Sequence, residues 1–358
     1  FVFILLVILL PPQLGLHFWP EWSFVNGIRV DYFSPTLYVT DVLIFVLFVL
    51  NVIPAKAGIY RNRFRVKPGM TLLTVFVFLN IYFSLSPAVS LYKWLKVTEM
   101  GFLIWFVAKH FQILKFKFQI LLVPIAYESI LAIWQFFNQA SIGGLWYWLG
   151  ERSFNTATPG IANAVISGQF VLRPYGTFSH PNVLLGFLVV AVLIIIRFSP
   201  HISRKINATL LVLVILVAFL TLSRGNLVSG FNLRQQVNII AIEQWERSPI
   251  IGTGLGTSPL YPRRIQNYAL VHQPIHNIYL LLLSETGIIG LFAFLLIIKK
   301  STICYPLTAI FLLGLFDHYF LTLQQGMLLL SLTIGLALGR MEKEQGVNNN
   351  DEFQINLY

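Results

Sequence analysis

What most constrains this chain is the recurrence of apolar runs about as long as a bilayer is thick. They fall near 1–10, 37–53, 70–86, 89–108, 118–137, 183–197, 206–222, 277–298, 303–316 and 326–339. Crossing hydrocarbon as a helix takes about 20 apolar residues, and a helix satisfies its backbone N–H and C=O groups within one segment. Hydrophobic residues make up 56% of the chain and charged ones 11%, where a soluble domain carries about 25% charged. The chain therefore reads as all-α, a polytopic membrane helical bundle of about ten transmembrane segments with long extracytoplasmic loops. The alternating pattern of a β-barrel is absent. The first run stops at Pro11-Pro12 with no small-residue cleavage pattern after it, and reads as the end of a truncated first span.

Charge orients the bundle. Loop 54–69 carries Lys56, Arg61, Arg63, Arg65 and Lys67 without an acid, and 109–117 carries Lys109, Lys115 and Lys117. Arg197, Arg204 and Lys205, then Lys299-Lys300, then Arg340 and Lys343 continue the series. Every second loop is basic, the pattern of loops that face the cytoplasm, so both termini are expected there. This placement accounts for the net charge of +11, and nucleic acid is not an expected partner. The tail beyond Gly346, rich in Asn, is expected to be disordered. The organisation is then 1–170 for the first helices and the first long outer loop, 171–340 for the functional region, and 341–358 for the tail. A single cysteine, Cys304, excludes an internal disulfide framework and a cysteine-based zinc site. Histidine spacing for zinc and an acidic cluster for Mg²⁺ are also lacking, so no metal or cofactor is expected.

The opposite loops, 11–36, 138–182, 223–276 and 317–325, hold His17, His180, His272, His276 and His318. Loops held by a rigid scaffold usually carry function. In RPYGTFSHPN (173–182), Arg173 offers a planar fork for phosphate oxygens, unless it serves only as a headgroup anchor beside Tyr175. In TLSRGN (221–226), Arg224 lies close to hydrocarbon, where a cation either snorkels or meets an anion. RSPIIGTGLGTS (247–258) follows no strand and lacks a Lys-Ser/Thr, so its glycines form no nucleotide loop; they shape a turn whose backbone approaches something closely. Arg234, Arg247, Arg263 and Arg264 surround it, and with Arg224 they make a positive loop on the outside, suited to an anion such as a diphosphate. DHYFLTLQQG (317–326) pairs Asp317 with His318. His276 is the best general base, at the mouth of an apolar helix, with Asn277 beside it. Glu285, nine residues on, is expensive at a membrane edge and is expected to pair with an arginine.

GTFSHPN (176–182), LSRG (222–225), SPIIGTGLG (248–256), HNIYLLLLSETGIIG (276–290) and DHYFLTLQQG (317–326), in this order, resemble the O-antigen ligase and O-antigen polymerase family of membrane glycosyltransferases. The family's ligase pattern is met by His276-Asn277, Leu280 and Gly287. The likeness covers roughly 170–340 well and the earlier spans in pattern only. It implies a GT-C-like bundle in the bacterial inner membrane, with its site on the extracytoplasmic face. It implies a metal-independent, inverting transfer from an undecaprenyl-diphosphate-linked glycan to a glycan, lipid or protein acceptor, as in lipopolysaccharide and other polysaccharide biosynthesis. By the same likeness His276 would deprotonate the acceptor, and Arg224 would hold the diphosphate with Arg173 and Arg234. His180, Asn277, Glu285, Asp317 and His318 would support them. One departure stands out: the family usually has two more spans between the SRG and PIIGTGLG segments, and residues 226–245 are too few for them.

Two other classes compete. A flippase or transporter of polyprenyl-linked glycan would place its charges midway through broken spans, whereas these lie mostly in outer loops. A non-catalytic envelope-assembly protein would leave the polar outer cluster unexplained.

Overall fold

The computed structural model describes residues 1–12, 14–57, 68–114, 117–199, 202–221, 227–261, 272–300 and 304–355, with backbone alone at 52–57, 68–70, 227–234, 300 and 342–355. Helices form where the apolar runs lie: α1 (Val2–Ile8), α2 (Val39–Ala57), α3 (Pro68–Tyr82), α4 (Pro87–Lys109), α5 (Leu122–Asn138), α6 (Pro181–Phe198) and α7 (Arg204–Thr221). There follow α8 (Leu227–Arg247), α9 (Ile278–Lys300), α10 (Tyr305–Gly314) and α11 (Gln324–Ile355). Proline opens α4, α6 and α10, where its missing N–H has no helical partner to lose.

Among the described residues four stretches are long and apolar enough to cross a membrane: Phe118–Asn138, Pro181–Phe198, Arg204–Thr221 and Ile278–Lys299. Three more apolar helices are shorter, Val39–Asn51, Thr71–Tyr82 and Tyr305–Gly314. The expected runs are thus occupied by helices, but fewer than about ten have full spanning length. One reason lies in α4, whose interior carries Lys93, Lys96 and Glu99. The stretch expected to be too short for two spans is the single helix α8. The backbone of α11 is helical to Ile355, past Gly346, and the run Met341–Gln345 is rich in good helix formers.

The fold is not purely α. Three antiparallel pairs join β1 (Gly15–His17) to β4 (Thr36–Tyr38), β2 (Phe24–Val25) to β3 (Ile28–Arg29), and β5 (Asn163–Ile166) to β6 (Gln169–Leu172). The last two pairs turn at Asn26-Gly27 and Ser167-Gly168, all four residues at positive φ. Such two-residue turns match the twist of a hairpin, and Asn-Gly is the strongest short signal for one.

Helix α6 runs through the core, with 67% of its length buried. Helix α11 packs on α4 through Gly335 and Gly339, where an added Cβ would stand 2.7 Å from Val107 and 2.7 Å from the Ala108 carbonyl. Small residues one turn apart let two backbones approach this closely. Helices α2, α4 and α11 are joined by buried polar groups. Lys96 meets the Asp41 carboxylate, and Gln324 donates to the Thr40 hydroxyl at 3.1 Å. A buried ammonium without such a carboxylate would carry a large desolvation cost.

Candidate functional site

Helix α5 positions the segment 173–182. Its buried Gln135 accepts the backbone N–H groups of Tyr175 and Gly176 at 2.9 and 2.8 Å. Its buried Glu128 accepts the N–H of Thr177 at 2.9 Å. His180 then caps α6 by accepting the Asn182 N–H at 3.1 Å. With its flanks held, Arg173 donates from Nε to the Thr221 carbonyl at 2.7 Å and from Nη2 to Asn182 Oδ1 at 2.9 Å. Thr221 ends α7, three residues ahead of Arg224, so Arg173 ties down the approach to the SRG stretch.

His276 lies at the mouth of α9. Asn277 caps that helix, its Oδ1 accepting from the N–H groups of Tyr279 and Leu280 at 3.0 and 3.1 Å. Ile275 packs with Val237, Ala241 and Leu281, clamping the loop between α8 and α9. The His276 ring stands edge-on to His318, with centroids 4.9 Å apart and planes at 79°. His318 is buried; its Nδ1 meets the Thr322 hydroxyl at 2.6 Å, and its backbone N–H donates to Asp317 at 2.8 Å. The expected pairing of Asp317 with the imidazole is therefore seen at the backbone, and Thr322 holds the ring. Tyr32 also packs edge-on to His318, centroids 5.6 Å apart. Burial, then the Asp317 and Asp31 carboxylates, push the Tyr32 phenol well above its ordinary range, so it stays a protonated donor. The Arg152 guanidinium lies 5.2 Å over the Tyr175 ring and donates to the Ser179 carbonyl at 2.8 Å. The rings of His276, His318 and Tyr32 thus pack edge to face in succession, while Arg152 braces the Arg173 segment separately.

Beside this line α9 is broken. Gly287 has φ 64° and ψ −168° within an otherwise helical run. The glycine loop fills the break. Thr253 and Gly254 donate to the carbonyls of Ser284 and Glu285 at 3.1 and 3.0 Å, and Ile288 donates to Pro249 at 2.9 Å. These bonds replace the helical ones the break removes, the condition for irregular backbone near a bilayer. The contact tolerates no Cβ: one on Gly252 would stand 2.3 Å from the Glu285 backbone, and one on Gly287 2.3 Å from the Ile250 carbonyl. Close backbone approach is thus what the glycines serve.

The expectation that Glu285 pairs with an arginine is corrected. It is buried, and its carboxylate accepts the N–H groups of Gly256 and Ser258 at 2.7 and 2.9 Å, with the Lys93 charge acting on it. The loop's orphan amides supply what a guanidinium was expected to supply. Arg224, Arg263 and Arg264 lie outside the described residues, as does the Arg234 side chain. The Arg234 backbone sits in α8, one turn ahead of Val237. Tyr32, Asp31, Arg152 and Asn80 were not singled out from the sequence. For Asn80 a signal existed, a lone amide within an apolar run. It donates to the carbonyls of Ile251 and Glu285 at 2.7 and 2.9 Å and accepts from Trp94 and Leu255 at 2.8 and 3.1 Å.

Compared with known families, residues 175–295 match the family model of the O-antigen ligases. No curated protein and no solved structure matches the chain.

Proposed function

Residues 175–295 belong to the O-antigen ligase family, and from that premise we propose that His276 is the general base of a glycan transfer. An O-antigen ligase or polymerase is a membrane glycosyltransferase acting on lipid-linked glycan. The reading proposed for this chain is more specific. The acceptor hydroxyl gives its proton to the His276 imidazole, and its oxygen forms a new bond to the anomeric carbon of the donor sugar. The bond from that carbon to the lipid diphosphate breaks with inversion, and the diphosphate leaves with the bonding pair. Arg224 takes the developing charge with Arg234, in a site that needs neither metal nor cofactor. Preorganised guanidinium groups do this without reorganisation during the reaction. Arg173 is assigned a positioning role, because its fork already holds Thr221 and Asn182.

The observation that carries this reading is the His276–His318 pair, 4.9 Å between centroids, with the second ring seated on Thr322. An imidazole held against a buried, anchored imidazole has a defined direction, which proton transfer requires. His180 and Asn277 cap helices, and Asp317 fixes the His318 backbone; their support is structural. The donor is taken to be undecaprenyl-diphosphate-linked glycan, handled at the extracytoplasmic face of the bacterial inner membrane, where the basic loops lie opposite the site. The acceptor is a glycan, lipid or protein hydroxyl.

Replacing His276 by Ala tests this. Transfer should fall about 10²–10⁴-fold, the usual contribution of a general base, while the melting temperature in detergent stays that of the parent. Retained transfer would remove His276 from the role.

A further inference from the structure

The turn after α3 and the exit of α8 wall a second cleft, which the proposed transfer does not use. Phe83, Leu85, Arg247, Ile251, Leu260 and Tyr261 line it around a volume of about 740 Å³. The Leu85 N–H donates to the Thr253 carbonyl at 2.9 Å, so this wall is fixed to the glycine loop. The Arg247 guanidinium lies 4.9 Å over the Tyr261 ring. No carboxylate among the described residues comes within ion-pair distance of it, both ion pairs there being made by Lys96. Across the cleft, Phe83 is 60% and Leu85 53% exposed.

Each feature narrows the ligand. A guanidinium stacked on a ring keeps its N–H fork in one plane, ready for two oxygens of an oxyanion. The Tyr261 ring is only 6% exposed beneath it, so that ring is taken up by the guanidinium and offers no face of its own to a ligand. A free inorganic ion would gain nothing from the exposed apolar wall, whereas a hydrocarbon chain would bury it. We propose that this cleft binds a phosphate-bearing lipid of the surrounding membrane, its phosphate on Arg247 and its chain along Phe83 and Leu85. Neither His276 nor His318 lines the cleft. Residues 277 and 285 are separated by about 12 Å of helical rise, and the glycine loop lies beyond. The inference goes beyond the transfer reading and holds independently of it.

The test measures lipid binding by the full chain in detergent, read by native mass spectrometry. Phosphatidic acid is set against diacylglycerol with the same chains, and a polyprenyl monophosphate is run as a parallel arm to tell which chain the wall prefers. The parent protein should favour a phosphate-bearing lipid by about tenfold or more, as charge-assisted bonds to one phosphate imply. Arg247→Gln should erase that preference, and Leu85→Gln on the opposite wall should weaken binding with or without a phosphate. Inorganic phosphate should not displace the lipid, and His276→Ala should leave binding unchanged even where transfer is lost. A preference that survives Arg247→Gln, or displacement by inorganic phosphate alone, overturns the proposal.

Discussion

Two polar centres lie along α9, and they differ in how they are built. At Gly287 the hydrogen-bonding capacity is spent. Asn80 uses both donors and both acceptor positions of its amide, and Glu285 gives each carboxylate oxygen to a loop N–H. At the helix mouth, His276 is half-buried and faces His318, against which the Tyr32 ring also packs. The closed centre holds the residues that look most like chemistry, a carboxylate at the membrane edge and a glycine-rich loop. Their work is to keep a broken helix broken in one way. The centre proposed here for proton transfer is the histidine pair at the mouth of the same helix.

This division is open to attack from the closed side first. Gly287→Ala asks a side chain to take positive φ and to stand 2.3 Å from the Ile250 carbonyl. Strain and overpacking together should cost about 4 kcal/mol, seen as a large fall in melting temperature or as loss of folded protein from the membrane. An unchanged melt would mean that the break is no fixed platform. Glu285→Ala comes next. It leaves the N–H groups of Gly256 and Ser258 without their acceptor, at about 3 kcal/mol for two buried donors. If Glu285 belonged to the chemistry instead, the variant would melt like the parent and lose transfer.

The two centres were unequally legible in the sequence. Apolar runs locate helices because a bilayer demands length, and SPIIGTGLG, lacking a strand before it and a Lys-Ser/Thr after it, already reads as a close backbone contact. What it contacts was not readable. The Asn80–Glu285 bond joins residues 205 apart, and a single amide in an apolar run reveals a need for a partner but not its address. The same holds for Gln135 and Glu128, which aim the Arg173 segment from α5. Asn26-Gly27 was a hairpin signal in plain view, overshadowed by the helical pattern around it. Tyr32 and Arg152 carry no spacing that sets them apart from other loop aromatics and arginines. Only the folded loops bring Tyr32 against His318 and Arg152 against the Arg173 segment.

The smallest expected effect is the sharpest probe of the open centre. Thr322→Val keeps the size of the side chain and removes the hydroxyl that meets His318 Nδ1 at 2.6 Å. A lost hydrogen bond of this kind is worth about 1 kcal/mol, so the melting temperature should move little. Transfer should fall further than the melt suggests, because an unseated His318 no longer fixes the direction of the His276 ring. The loss should appear in kcat with KM nearly unchanged, since Thr322 is assigned no contact with substrate. Thr322→Ser restores the hydroxyl and should restore kcat. If serine fails to rescue, or if valine raises KM and leaves kcat alone, then His318 does not seat the base, and the centre must draw its order from elsewhere, the Tyr32 ring packed on His318 being the nearest candidate.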